Sequence, residues 1–295
     1  MNIREREFNN MQKLFENWRL FTEQEKSNYG YVVGDLDTGE ILARKNENRL
    51  FYGASMNKPL IALANLIHFR DNPDPEKKLN KKDLEALLAY KGYESNDINR
   101  ILSGRGPRKP DKQKFIDRYG KEKYEKPYNW ALSKYQYALK RKKKIGIITP
   151  ELAAEYLQKW GLSPDIGIIY GAPNKQSPIS YFNFIKFLHT AEKIEGIETE
   201  VNIILNHMKR DPLGLGRKDR ESKKWETYYK KELNKKGINV QSMYGKGGRT
   251  PAGKPKAALN YGFVINNKII LVIYTELDDK KHMLNLMAKL LEGKI

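Results

Sequence analysis

Residues 51–67, FYGASMNKPLIALANLI, read as a turn feeding an apolar helix whose first turn holds Ser55 and Lys58 three residues apart. Side chains three apart on a helix are neighbours, so the hydroxyl and the ammonium can touch. Pro59 suits a first turn, where a missing N–H costs little. Two readings of the pair stay open at this point: a solvated helix cap, or a nucleophile beside its base. The chain is rich enough in lysine for a Ser-x-x-Lys spacing to arise by accident, yet among its serines only Ser55 has it.

Outward from this stretch, the segment before it, YGYVVGDLDTGEILARKN (29–46), alternates and is β-branched on either side of Asp37-Thr38-Gly39, which predicts a hairpin. Apolar positions Ile3, Phe8, Met11, Leu14, Phe15, Trp18 and Phe21 recur at helical spacing and predict a first helix over 3–21. Downstream, KKDLEALLAYK (81–91) is amphipathic and stops at Gly92, and YESNDINRIL (93–102) is a turn entering another helix. TPELAAEYLQKWG (149–161) is a helix with Thr149 as cap, Pro150 in first position and Gly161 as stop, and SPISYFNFIKFLHTAEKI (177–194) repeats the Ser-Pro start with an aromatic-rich face. NVQSMYGKGG, AALNYGFVINN and KIILVIYTEL are three strands in succession, with Asn266-Asn267 as one of the turns, and the last 18 residues form a helix.

Strands early and late in the chain around a helical middle predict an α+β architecture, an antiparallel sheet built from both termini with flanking helices and an inserted all-α lobe. The expected boundaries are 1–52 and 238–295 for the sheet lobe and 53–237 for the helical lobe, with a cleft at the joint. Within the helical lobe, residues 104–146 interrupt the pattern.

The second polar element is Ser95, in the turn between two helices of the inserted lobe, followed by Asn96 and Asp97. The third is Lys246-Gly247-Gly248 on the first strand of the late trio, where two glycines leave a backbone edge open to a ligand. With SMNK, SND and KGG in that order, the sequence resembles the penicillin-recognising serine enzymes, the class A β-lactamases and D-Ala-D-Ala peptidases. The resemblance extends to the hairpin and apolar helix around Ser55 and to the final strand, strand, helix unit; 104–146 stands outside it. It implies a β-lactamase/transpeptidase-like fold and a serine hydrolase that forms an acyl-enzyme.

A serine hydroxyl is a poor nucleophile until a neighbouring base takes its proton, and Lys58 is the group placed to do so once it is neutral. Burial at the lobe junction and the charge of Lys246 both disfavour a second ammonium there. By resemblance, Ser95 relays the proton to the leaving nitrogen and Lys246 attracts a substrate carboxylate. Asn96, Asp97, Gly247, Gly248 and Arg249 border the substrate, and the backbone N–H groups of Ser55 and Arg249 receive the oxyanion. The implied substrate is a small molecule or peptide, a β-lactam or a peptidoglycan stem peptide. No cofactor and no metal are expected.

Two departures shape the expected activity. The family's middle box ends in asparagine where this chain has Asp97, and residues i and i+2 of an extended turn point the same way, which sets a carboxylate beside Ser95 and holds Lys58 protonated unless Asp97 turns outward. The glutamate of the class A β-lactamase E-x-x-L-N loop, which activates the deacylating water, has no counterpart in GLSPDIGIIYGAPNKQS (161–177), whose only carboxylate is Asp165. The expectation is peptidase-like behaviour with slow release of β-lactams. The alternatives are a class A-like β-lactamase with a substitute base, and a non-catalytic polyanion-binding protein on the same fold.

The 295 residues, 39% of them hydrophobic, suffice for a large core, and no run of about 18 apolar residues is present. No integral membrane segment and no signal peptide are read, although the resemblance implies an extracytoplasmic (periplasmic or cell-surface) location. The absence of cysteine excludes disulfides and thiolate metal sites. The four histidines, His68, His189, His207 and His282, lack metal-ligand spacing, and the glycines of GLGRKDR (214–220) follow no strand.

Of the formal net charge of +19, more than half arises in 104–146, with 15 Lys or Arg against 4 Asp or Glu. Its basic residues interleave with Phe115, Tyr119, Tyr124, Tyr128, Trp130, Tyr135 and Tyr137. That composition suits an anionic polymer, such as single-stranded nucleic acid or an envelope polymer, or a membrane surface. The plainer alternative is a helical excursion with packed aromatics and solvated lysines.

Overall fold

The computed structural model describes residues 28–74, 83, 101, 106–143, 150–162, 175–191, 196–210, 220–250 and 257–294. The helix expected over 3–21, Ser95, Asn96, Asp97 and Asp165 lie outside them, as do the helix expected over 81–91 and the turn and helix expected over 93–102, except for the helical positions Asp83 and Ile101.

The hairpin forms as β1 (Tyr29–Asp35) and β2 (Ile41–Lys45), closed by a turn in which Asp35 Oδ1 accepts from the backbone N–H groups of Asp37 and Thr38. After the two-residue strand β3 (Phe51–Tyr52) comes α1 (Lys58–Asp71). The basic segment folds into α2 (Lys112–Tyr119) and α3 (Glu125–Lys142), followed by α4 (Pro150–Lys159), which stops at Gly161 in the left-handed region (φ +70°). Then come β4 (Lys175–Gln176), α5 (Pro178–Ala191), α6 (Glu198–Arg210) and α7 (Arg220–Lys235). The late strands are β5 (Met243–Thr250), β6 (Ala258–Ile265) and β7 (Ile269–Thr275), and α8 (Lys280–Leu291) follows, capped by Asp279.

The five-stranded sheet has the order β2-β1-β7-β6-β5, every described pair antiparallel, so the early hairpin joins the late trio through β1 and β7. Asn266 and Asn267, at φ +53° and +51°, lead the three-residue β6–β7 turn, a conformation asparagine tolerates better than most side chains. Alternation along each strand divides the core in two. Val32, Val264, Ile270, Val272 and Tyr274 face α1, α5 and α6, while Val33, Tyr261, Phe263, Leu271 and Ile273 face α7 and α8. Tyr229 and Leu233 of α7 thus pack in the sheet-side core, although they precede residue 238. The helix α5 docks closely because Gly262 has no side chain: a Cβ there would lie 2.4 Å from the ring of Tyr181.

Within the helical layer α1 is central. Leu60, Ile61, Leu63 and Ile67 are fully buried, and Asn65 turns its amide to the Ile61 carbonyl at 2.9 Å. A helix apolar all round belongs in a core, and its N-terminus here meets the inner face of the sheet.

Candidate functional site

Strand β3 delivers the chain to the sheet by pairing with β4, with Phe51 opposite Gln176 and Tyr52 opposite Lys175. Asn260, fully buried on β6, anchors the next step: its Nδ2 donates to the Tyr52 carbonyl at 2.7 Å, and its Oδ1 accepts from the Thr275 N–H at 3.0 Å. The turn 53–57 begins from this clamp. Ala54 takes a positive φ of +49°, a strained choice for a residue with a Cβ, and Met56 N–H closes the turn on the Gly53 carbonyl at 3.0 Å.

The N-cap of α1 is Asn57, so Ser55 is not its cap and that reading falls away. Ser55 lies half-buried in the turn, its carbonyl accepting from Lys58 N–H at 3.4 Å, which keeps the two side chains one helical turn apart. Lys58 is only 4% exposed, and burial pushes its ammonium down to about 7. A group with that value is half neutral near pH 7, as a base for a hydroxyl requires.

Strand β5 presents the other wall. Lys246 and Gly248 share the face of Tyr244, which packs with the helical layer, and Gly247 and Arg249 point to the opposite face. A Cβ on Gly248 would sit 2.8 Å from the Ser55 nitrogen and 2.7 Å from the Gly53 oxygen, so the strand and the turn touch backbone to backbone. Lys246 is 2% exposed and donates to the Gly247 carbonyl at 3.0 Å. Burial holds its ammonium well below the ordinary range, and the charge of Lys58 pushes the same way. Ser55, Lys58, Lys246 and Gly248 are therefore brought together.

Arg249 is turned elsewhere: its guanidinium forks onto Asp278, Nε to Oδ1 at 2.6 Å and Nη2 to Oδ2 at 2.8 Å, with Asp278 almost wholly buried. Sequence reasoning did not find this pair, nor the Asn260 clamp; the one available signal was a lone asparagine in the apolar run AALNYGFV. Of the histidines, His68 meets Tyr156, His189 bridges the Ile185 carbonyl and the Tyr244 hydroxyl, and His282 packs edge-on to Tyr29. Among the described residues no group of three or more His, Cys, Asp or Glu could hold a metal ion, and no helix is long and apolar enough to cross a membrane.

No protein-family model matches the chain, and no curated protein matches it. Solved structures do. A variant of the TLA-1 extended-spectrum β-lactamase superposes with a TM-score of 0.51 at 15% identity, over 95% of this chain and 96% of that one. The TLA-1 enzyme itself gives 0.49 at 15% identity, over 92% and 94%. At that identity the likeness concerns architecture, and it spans nearly the whole of both chains. The chain has the β-lactamase-like fold, a mixed helical and antiparallel-sheet architecture shared with class A β-lactamases.

Proposed function

We propose that the protein is a serine hydrolase in which Ser55 attacks an acyl group and Lys58 takes its proton. The observation that carries this reading is the meeting of the 53–57 turn with β5, where the Ser55 nitrogen abuts Gly248 and the two buried lysines sense one another. Two ammonium groups in one dry crevice repel, so the free protein keeps at least one of them neutral near pH 7. Lys58 in its neutral form accepts the Ser55 proton. Lys246 regains its proton when an anionic substrate arrives, so it binds a carboxylate without Lys58 having to charge.

The backbone N–H groups of Ser55 and Arg249 are the donors for the oxyanion, an assignment supported by the closeness of strand and turn and by the removal of the Arg249 side chain to Asp278. Ser95 is the proton relay, and Asn96, Asp97, Gly247 and Gly248 border the substrate. The substrate class is a D-Ala-D-Ala-like peptide or a β-lactam amide, acylation outpaces deacylation, and the site of action is outside the cytoplasmic membrane.

Labelling with a fluorescent penicillin tests the reading. A covalent adduct that disappears in Ser55→Ala is expected; an adduct that persists in that variant, or none in the native protein, defeats it. Steady-state turnover of a chromogenic cephalosporin separates the peptidase-like reading from that of a β-lactamase with a substitute base, since many rapid turnovers per molecule occur only in the second. Replacing Asp97 by Asn addresses the carboxylate: unchanged acylation rates and pH dependence mean that it faces away from the crevice.

A further inference from the structure

The helical hairpin α2–α3 serves neither wall of the crevice, and its chemistry is distinct. Its aromatic rings are largely spent on one another: Phe115 stacks on Tyr119 at 6.1 Å and meets Tyr128 edge-on at 5.7 Å, with Tyr124 a further 6.4 Å from Tyr128. Cations sit over several of them, Lys112 over Tyr124 at 5.3 Å and Arg118 over Tyr119 at 5.5 Å. The C-terminal end of α3 is tied down by Arg141 and Tyr137, which both bind the fully buried Asp83, at 2.9 Å from Arg141 Nε and 3.1 Å from the Tyr137 hydroxyl. The hairpin is thus a self-packed arm with a rigid root.

Its outward charged groups are mostly basic, with Asp117 on α2 and Glu125 on α3 as the exposed carboxylates of the two helices. Lys112, Lys114 and Arg118 on α2 and Lys126, Lys140 and Lys142 on α3 are exposed. At about 100° per residue, Lys126 and Lys142 stand on nearly opposite sides of their helix. The two exposed apolar side chains of α3, Trp130 at 48% and Leu139 at 42%, are nine residues apart and so also point in opposite directions. A bilayer needs one apolar face to enter, and α3 offers none. A nucleic acid read by stacking needs a row of open rings, whereas most rings of the hairpin are engaged internally. A flexible chain of phosphates needs only positive charge distributed along and around a rod.

We propose that the α2–α3 hairpin docks a flexible, phosphate-bearing linear polyanion, held by charge without base stacking or lipid insertion. Binding of labelled inorganic polyphosphate to the full chain, followed by anisotropy, tests this. With about five phosphates neutralised, affinity is expected to fall roughly 100-fold between 50 and 200 mM salt. Replacing Lys112, Lys114, Lys121, Lys123, Lys126 and Lys140 by Gln is expected to weaken binding at least about 30-fold while the melting temperature holds. The proposal is overturned by no binding at 50 mM salt, by undiminished binding in the lysine variant, or by capture on anionic phosphatidylglycerol vesicles with none on polyphosphate. A preference for oligo(dT) that Trp130→Ala abolishes also overturns it, since stacking would then be the mode.

Discussion

Lys58 is the residue on which the proposed chemistry and the stability of the fold pull in opposite directions. Its ammonium ionises near 7 in the folded protein, so acylation of Ser55 is expected to rise with pH through about 7 and level off above it. Single-turnover acylation rates from pH 5.5 to 9 check this, and Lys58→Met is expected to lower them about 10²- to 10⁴-fold while stabilising the fold at neutral pH. Gly248 is the second sensitive residue. Gly248→Ala forces a Cβ against the Gly53 oxygen and the Ser55 nitrogen and pushes the turn off the strand. A displacement of about 1 Å is expected to slow acylation roughly 100-fold, read as a fall in kcat/KM with secondary structure intact by circular dichroism. These positions were legible in the sequence because each rests on short spacing: three residues from Ser55 to Lys58, and consecutive places in Lys246-Gly247-Gly248. The Arg249–Asp278 fork was not, since its partners are 29 positions apart and only the paired strands decide which face Arg249 takes.

Among the elements, the strands were the more readable because β1, β6 and β7 carry β-branched and aromatic runs bounded by turn residues, and the asparagine pair at 266–267 marks its own bend. Strands β3 and β4 were not, because two residues each give no period to recognise. They form by tertiary pairing, and Asn260 secures the arrangement by joining the Tyr52 carbonyl to the β7 backbone. Asn260→Leu takes the amide from the part-buried Tyr52 carbonyl and leaves the buried Thr275 N–H without its acceptor, at a cost of about 2–4 kcal/mol. The expected fall in Tm is roughly 3–6 °C, measured calorimetrically. Acylation slows with it, while the midpoint of its pH profile stays where Lys58 sets it. A change in that midpoint would mean that Asn260 acts on the lysines rather than on the turn.

For the whole molecule, the buried amine ties stability to pH with a definite sign. Lys58 ionises near 7 when folded and near 10.5 when exposed, so between those values the unfolded chain holds more protons than the folded one. Stability is therefore expected to increase as pH is raised through that window, by an amount of order a few kcal/mol, and melting curves at pH 7 and 9 check the direction. Lys246, displaced the same way, adds to the trend. That the chain makes one mixed architecture was legible from strands at both ends of a helical middle; that α7 serves the sheet was not, because amphipathic period alone does not say which surface a helix will find. The pairing of β1 with β7 also orders events during synthesis. The first strand leaves the ribosome some 240 residues before the partner that completes it, a wait of roughly ten to fifty seconds at ordinary elongation rates. Through that interval β1 has only β2 beside it, and the edge that β7 will cover, with Val32 and Val33 on it, stays open to pairing with another chain.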